Sequence, residues 1–393
     1  MKFELFVAWR YLVARRREKF ISLIGFISVM GVAVGVAALI VVLSVMAGFD
    51  NDLKEKIIGI NPHIFVENVS GMSEVDPVID RLRANSQVTG VSPYIVGQVI
   101  LKAPRATMGA VIRAVDPESE ISVTKIKDYL VKGDLPKGPQ EIVVGRELAK
   151  ALDLDISSKL EVISPFDGKK YEFRVNGIFV SGMYDYDSNF VFVAIKDAQD
   201  VFVMPAGITG IGVRLNDAYK ADSFAGGLRR DLNYMYTVRT WTDINSNLFS
   251  ALKLEKATMF IILTLIVIVA CFNIAATLIM MVFEKTKDIG ILKAIGATNK
   301  AIKVIFTLEG LLIGFIGTGL GMGMGIGLCN LLKKYQFIQL PKEIYYIDHL
   351  PVSVQWSDSI FVMTAAILIS LLATVYPAWQ ASRLDSVEAL RYE

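Results

Sequence analysis

Phe20-Ile-Ser-Leu-Ile-Gly-Phe-Ile-Ser-Val-Met-Gly-Val-Ala-Val-Gly-Val-Ala-Ala-Leu-Ile-Val-Val-Leu-Ser-Val-Met-Ala-Gly-Phe49 contains no Asp, Glu, Lys or Arg. A helix needs about 20 apolar residues to cross a bilayer, and this run exceeds that. The preceding segment is basic, with Lys2, Arg10, Arg15, Arg16, Arg17 and Lys19, as a signal-peptide n-region would be. The run is nevertheless longer than the roughly 7–15 residues of a cleavable h-region, so it reads as a retained anchor. Three more charge-free stretches follow, at 257–283, 310–332 and 359–382, each long enough to span. The chain of 393 residues is 53% hydrophobic and 20% charged, with mean hydropathy +0.48. Its apolar excess is concentrated in these stretches, which excludes a soluble cytosolic enzyme and a disordered chain. A net charge of +2 gives no case for nucleic acid, which would want a basic stripe.

Lysine and arginine set the orientation. Segment 1–19 is basic, loop 284–303 carries Lys285, Lys287, Lys293, Lys300 and Lys303, and the tail adds Arg383 and Arg391. Loop 333–358 has only Lys333, Lys334 and Lys342. Both termini and loop 284–303 are expected to face the cytoplasm. The fold class is therefore an α-helical membrane protein with four transmembrane helices. A large α+β extracytoplasmic domain is inserted between helices 1 and 2. The expected layout is an amphipathic helix at 1–19, helix 1 at 20–49, the outer domain at 50–256 and helix 2 at 257–283. A cytoplasmic loop follows at 284–303, then helix 3 at 304–332, an outer loop at 333–358, helix 4 at 359–380 and a tail at 381–393.

The outer domain alternates strand-like runs rich in Val, Ile, Phe and Tyr with helical ones. Strands are expected at His63–Glu67, Val91–Lys102, Gly109–Val115, Glu141–Gly145, Lys159–Ser164, Tyr171–Val180, Asn189–Ile195, Gly210–Leu215 and Tyr236–Thr240. Helices are expected at Val75–Ala84, Arg146–Leu152, Lys196–Phe202 and Tyr219–Leu232. Asp167-Gly168 between two strand runs signals a hairpin. A membrane-proximal part (50–115 and 205–256) and a distal β-rich insert (116–204) are expected. Leu53–Ile57 and Trp241–Lys256 read as helical extensions of helices 1 and 2, giving rigid connections.

Catalytic and nucleotide motifs are missing. There is no Walker A, no H-E-x-x-H and no G-x-S-x-G. His63 and His349 have no metal-ligand neighbour pattern, so no metal site is expected. Cys271 and Cys329 read as small buried apolar residues. The four charge-free cores lack the buried charges of ion-binding transporters. If the chain does work, the energy comes from a partner.

Several features carry mechanism. In loop 284–303, Ile289, Leu292 and Ile295 recur every three residues, giving a short helix with an apolar stripe. Gly296 fits its stop and Thr298 the N-cap of the next helix. Such a helix either seats in a groove of a cytoplasmic protein or rests on lipid. In segment 1–19, Phe3, Phe6, Val7 and Tyr11 fall on one side, for lipid anchoring or partner contact. Helix 3 is dense in glycine. Gly310, Gly314, Gly317, Gly321 and Gly325 have the small-xxx-small spacing for close helix packing, and the other reading is a helix loosened by its glycines. The end of helix 1, with Leu39, Val42, Leu43, Met46 and Phe49, suits either acyl chains or ordinary lipid contact. Pro377 offers a stop for helix 4, and Asp385-Ser-Val-Glu388 resembles a capping box.

Leu43-Ser-Val-Met-Ala-Gly-Phe-Asp50, Glu284-Lys-Thr-Lys-Asp-Ile-Gly-Ile-Leu-Lys-Ala-Ile-Gly-Ala297 and Ala389-Leu-Arg-Tyr-Glu393, in this layout, resemble the membrane subunits of the lipoprotein-releasing (Lol) ABC transporter, the LolC/LolE family. That family lies within the mechanotransmission superfamily of MacB-like exporters and FtsX-like regulators. The resemblance spans almost the whole chain. It implies a non-catalytic permease subunit in the bacterial inner membrane, with a periplasmic outer domain. Lys287, Asp288, Ile289, Gly290, Leu292, Lys293, Ala294, Ile295, Gly296 and Ala297 would form the coupling helix that docks on a cytoplasmic ATPase. That ATPase would be present in two copies and hold the ATP and Mg; this chain would bind no cofactor. A second membrane subunit, either a paralogue or a second copy, would complete a V-shaped cavity. A triacylated lipoprotein would enter it from the outer leaflet, against Leu39, Val42, Leu43, Met46, Phe49, Met259, Ile262 and Leu263. Closure would pass it to a periplasmic carrier.

One departure stands out. The carrier-recruiting subunit of the family has a protruding hairpin, a hook. Here the corresponding connection, Ser164–Lys170, is short, so either the hook is vestigial, or this is the non-hook type, or the chain acts as two copies of one generic subunit; Pro165, Phe166, Asp167, Gly168 and Lys169 are the candidate carrier contacts. Other members of the superfamily supply the alternatives: a regulator that relays ATPase movement to an outer hydrolase, or a macrolide or peptide efflux permease.

Overall fold

The computed structural model describes residues 2–13, 19–72, 76–232, 236–336 and 350–384. Arg15, Arg16, Arg17, Lys342, His349, the Asp385–Glu388 capping pattern and the Ala389–Glu393 ending lie outside the described residues, as does the side chain of Leu263. The chain divides into two compact units: Asp52–Ala251, and the described residues before and after it.

The second of these units is helical. It is built from α1 (Lys2–Val13), α2 (Lys19–Ile60), α3 (Ser246–Glu284), α4 (Thr286–Ala294), α5 (Asn299–Tyr335) and α6 (Trp356–Arg383). Four of these, α2, α3, α5 and α6, are long and apolar enough to cross a membrane. The helical extensions expected of the first two spans are present, since α2 runs on to Ile60 and α3 starts at Ser246. Before α3, the short helix Trp241–Ile244 opens on a capping box between Thr240 and Asp243. Thr298 caps α5 by accepting from the Ala301 amide.

Pro377 does not end the last span. The helix α6 continues through it to Arg383, with Pro377 buried. Proline removes one helical hydrogen bond. The buried face of Ala373, Thr374, Ala378 and Ala381 on either side of it keeps the helix going.

A core of Val32, Val36, Leu39 and Ile40 from α2 packs with Ile274 and Leu278 from α3, Ile313 and Cys329 from α5 and Val362 from α6. The glycines of α5 set how closely its neighbours approach. A Cβ at Gly310 or Gly314 would run into Thr374 or Ser370 of α6. At Gly317 it would sit 2.8 Å from Val32 Cβ, and at Gly325 3.0 Å from Ile40 Cβ, both on α2. Gly319, Gly323 and Gly327 face open space, with nothing within 4 Å.

The unit Asp52–Ala251 holds a ten-stranded mixed sheet. Its strands are β1 (Ile64–Met72), β2 (Val88–Lys102), β3 (Thr107–Val115), β4 (Leu130–Gly133), β5 (Glu141–Gly145), β6 (Lys159–Ile163), β7 (Lys170–Phe179), β8 (Phe190–Ala194), β9 (Ile208–Leu215) and β10 (Thr237–Thr240). The order is β10-β1-β9-β2-β3-β8-β5-β7-β4, with β6 pairing both β2 and β7. The β3–β8 and β5–β7 pairs are parallel; the others are antiparallel. The nine expected strands recur with ends shifted by a few residues. Strand β4 was not legible, because it is short, mostly exposed and pairs only at the edge. Helix Pro117–Val123 was also missed, although its signal is present: Asp116 accepts from Ser119 N at the N-cap and Pro117 follows.

His63 is structural. It is buried, and its Nδ1 accepts from the Leu215 amide at 3.1 Å. Burial, with Arg214 nearby, pulls its pKa down to about 4, which suits a neutral acceptor. A polar thread crosses the sheet beside it. Arg113 pairs with the buried Glu120 at 3.2 Å and lies over the Tyr94 ring, and the Tyr94 hydroxyl donates to Glu67 at 2.7 Å.

Candidate functional site

The loop between the second and third membrane helices is a short helix anchored at both ends. The Lys285 amide donates to Met281 O and the Ile289 amide to Lys285 O, both at 2.9 Å, so α3 turns into α4 without a break in bonding. Lys285 Nζ lies 3.2 Å from Asp288 Oδ2 and 5.3 Å from the centre of the Tyr11 ring. At the far end Gly296 takes φ +103°, a left-handed conformation that glycine enters without steric cost. Lys293 Nζ donates to the carbonyls of Ser382 and Leu384, at 2.8 and 2.6 Å, and so satisfies acceptors at the end of α6.

The apolar stripe read from the sequence is split by this arrangement. Ile289 is fully buried with Ala8, Val282, Ile305, Phe306 and Ala378, and Leu292 packs against the same cluster. Gly290 is buried too. Two of the three stripe residues therefore hold α4 to its own bundle. Periodicity reveals that a helix has an apolar face, not which neighbour covers it. What α4 leaves open is Lys287, Ala294, Ile291 (46% exposed) and Ile295 (76% exposed). Ile291, Ala294 and Ile295 share one face by their i, i+3, i+4 spacing.

The N-terminal helix also divides differently from expectation. Ala8 is buried, Val7 and Tyr11 pack beside it, and Phe3, Leu5, Phe6 and Trp9 are exposed. An exposed aromatic face suits the membrane–water boundary.

At the exit of the first membrane helix, several motif residues are structural. Ser44 O accepts from the Ser353 amide at 2.9 Å, Gly48 abuts the Pro351 carbonyl, and Asp50 pairs with Lys256 at 2.8 Å. Leu39 is buried and lines a narrow apolar crevice with Val36, Ile266, Ile274 and Ile369. It is thus closed to a ligand here, because the bundle packs over its face of α2. Val42, three residues on along α2, is exposed, while Leu43, Met46 and Phe49 are half-buried. On α3, Met259 is half-buried and Ile262 exposed, within an open apolar face that includes Phe260, Leu265, Val269 and Phe272.

The connection between β6 and β7 is a tight hairpin. The Ser164 amide donates to Lys169 O at 2.9 Å, and Gly168 takes φ +67°. Lys169 bonds Asp167 at 2.9 Å, and that ion pair, with the Lys169 amide, pulls the Asp167 carboxyl down to about 2. Pro165, Phe166, Asp167, Gly168 and Lys169 are all exposed, and Phe166 meets Phe202 edge-on. Pro165 also borders a groove of about 650 Å³ with Gln98, Ile100, Val111 and Phe190. Among the described residues no three His, Cys, Asp or Glu side chains are grouped to hold a metal ion.

Residues 260–386 match the FtsX-like permease C-terminal family, and residues 26–230 match the MacB-like periplasmic core domain. The lipoprotein-releasing system transmembrane protein LolC of Xylella fastidiosa (strain Temecula1) is 33% identical over 98% of this chain and 98% of its own length. The chain belongs to the LolC/LolE family. LolC of Neisseria meningitidis serogroup B is 32% identical, and LolE of Haemophilus influenzae 30%, each over 99% of both chains. In this LolC/LolE family member the residues 287–297 expected to couple lie on α4 and the turn after it, and the five spaced glycines lie on α5. The sequence reading missed Glu309, a fully buried carboxylate on α5. The expected helix 3, 304–332, contains it, but only the charge-free core from 310 was read for buried charge.

Proposed function

We infer that this chain is the non-catalytic membrane subunit of an ATP-driven transporter that takes triacylated lipoproteins from the outer leaflet of the bacterial inner membrane and hands them to a periplasmic carrier. The observation that carries this is identity of 30–34% to lipoprotein-releasing LolC and LolE proteins over nearly the full length of both chains. Both termini and α4 face the cytoplasm, and the unit Asp52–Ala251 lies in the periplasm, in keeping with the lysine distribution. The helix α4 docks on an ATPase present in two copies, which holds the ATP and Mg. The open face Ile291, Ala294 and Ile295 supports that role, with Lys287 and Asp288 at its rim. A second membrane subunit, a paralogue or a second copy, completes the cavity. The sparsely covered face of α3, with Phe260, Leu265, Val269 and Phe272, leaves room for it and for acyl chains. Lipoprotein chains meet Val42, Met46, Phe49, Met259 and Ile262, and the carrier meets the exposed 165–169 hairpin.

Val42→Gln tests the cargo path. An amide on this exposed apolar face costs about 1–3 kcal/mol where acyl chains must cover it. Photocrosslinking to a triacylated lipoprotein in nanodiscs should fall about tenfold or more, with ATPase co-purification unchanged. Equal loss of both would point to misfolding, and undiminished crosslinking would remove Val42 from the path.

A further inference from the structure

Between α1 and α4 lies a groove of about 400 Å³. Phe6, Val7 and Arg10 line one wall, and Ile291 and Leu292 the other. The lining is mostly apolar, and its charges are unevenly satisfied. Lys285 is already engaged, by Asp288 Oδ2 at 3.2 Å and by the Tyr11 ring. Arg10 is exposed, its guanidinium 5.9 Å from the centre of the Phe6 ring. Among the described residues Arg10 has no carboxylate partner. An apolar cleft thus carries one uncompensated cation.

The surroundings of the groove indicate what covers it. Phe6 is 59% exposed, and Phe3 and Trp9, three residues to either side, stand open as well. Large apolar side chains in such number on a 12-residue helix are covered by lipid, not water. Segment 1–19 carries six Lys and Arg against Glu4 and Glu18, so it brings a positive field to that surface. The guanidinium of arginine is a planar fork that matches phosphate oxygens, and its stem runs along apolar surface.

We propose that this groove binds one anionic glycerophospholipid of the inner leaflet. An acyl chain lies against Phe6, Val7 and Ile291, and Arg10 donates to the headgroup phosphate. Asp288 is held by Lys285, so a choline or ethanolamine headgroup finds no carboxylate of its own. The lipid bridges α1 and α4 and closes the cleft between the N-terminal helix and the coupling helix. The choice of leaflet rests on the reading of the N-terminus as cytoplasmic. Nanodiscs carry the lipid in both leaflets, so labelling in them tests the site and not the orientation.

The test uses the full chain in nanodiscs of equal parts phosphatidylglycerol and phosphatidylcholine. A trace of either lipid is photoactivatable, and the labelled positions are read by mass spectrometry. The phosphatidylglycerol probe should label Phe6–Tyr11 and Lys285–Leu292 about fivefold or more above the phosphatidylcholine probe, the scale of one basic side chain at an anionic surface. Arg10→Gln should lower that labelling about tenfold, as loss of a charged hydrogen bond does, with the thermal midpoint unchanged. Arg10→Lys, which keeps the charge but not the fork, should stay within about threefold of the parent. Inorganic phosphate should not compete. Equal labelling by the two probes would reduce the groove to ordinary lipid contact and overturn the proposal. So would undiminished labelling of Arg10→Gln, or displacement by inorganic phosphate alone. An ATPase segment crosslinked to Phe6 in place of the lipid would give the groove to the protein partner and overturn it too. The labelling is read first without the ATPase, so failure of the coupling reading would leave this result standing.

Discussion

Ile289→Asp should leave almost no folded chain in the membrane. Ile289 is fully buried against α1, α3, α5 and α6, among Ala8, Val282, Phe306 and Ala378. Removing its apolar surface costs about 1.5–3 kcal/mol. Burying an unpaired carboxylate adds several kcal/mol more, against a total stability of roughly 5–15 kcal/mol. The monodisperse fraction in mild detergent should therefore collapse. Ile295→Asp introduces the same charge at a position 76% exposed. It should leave the fold intact while ATPase co-purification drops about tenfold or more, as loss of an apolar anchor at an interface does. Recovery of well-folded Ile289→Asp lacking only the ATPase would mean that Ile289 faces the partner after all. Normal ATPase binding by Ile295→Asp would remove the exposed face from the docking surface.

Gly321→Ala should destabilise the bundle, whereas Gly323→Ala, two residues on, should not. An added Cβ at Gly321 would stand 2.5 Å from the Ala33 carbonyl oxygen and 2.7 Å from Val36 Cβ. Backbone cannot rotate away as a side chain can, so α2 and α5 must separate, at about 1–3 kcal/mol or more. Gly323 has nothing within 4 Å. There alanine only gains helix propensity, worth about 0.5–1 kcal/mol. Thermal unfolding in detergent separates the two: a lowered midpoint for Gly321→Ala and an unchanged or raised one for Gly323→Ala. Equal midpoints would show that α5 does not pack on α2 at this glycine.

The architecture was legible because its signals are one-dimensional. Charge-free runs mark the spans, and β-branched runs bounded by turns mark the strands. Glu141–Gly145 and Arg146–Leu152 appear with their expected ends. The site was legible only to the level of the element. Ile289 and Ile295 look alike in a periodic pattern, yet one is sealed in the bundle and the other open. Leu39 and Val42 lie three residues apart on α2, and packing alone decides that Leu39 is closed. Pro377 reads as a stop until its neighbours are seen to bury it. Glu309 escaped because a charge-free window ends where a charge begins.

Whether this chain releases lipoproteins shows most directly in what accompanies it out of its native membrane. We would purify it in mild detergent and identify all co-purifying proteins and their acyl modifications by mass spectrometry. A cytoplasmic ABC ATPase should come with it, together with triacylated lipoproteins, and a paralogue if the membrane subunits differ. An ATPase with a cell-wall hydrolase and no lipoprotein, or no ATPase at all, would rule out the lipoprotein-releasing role.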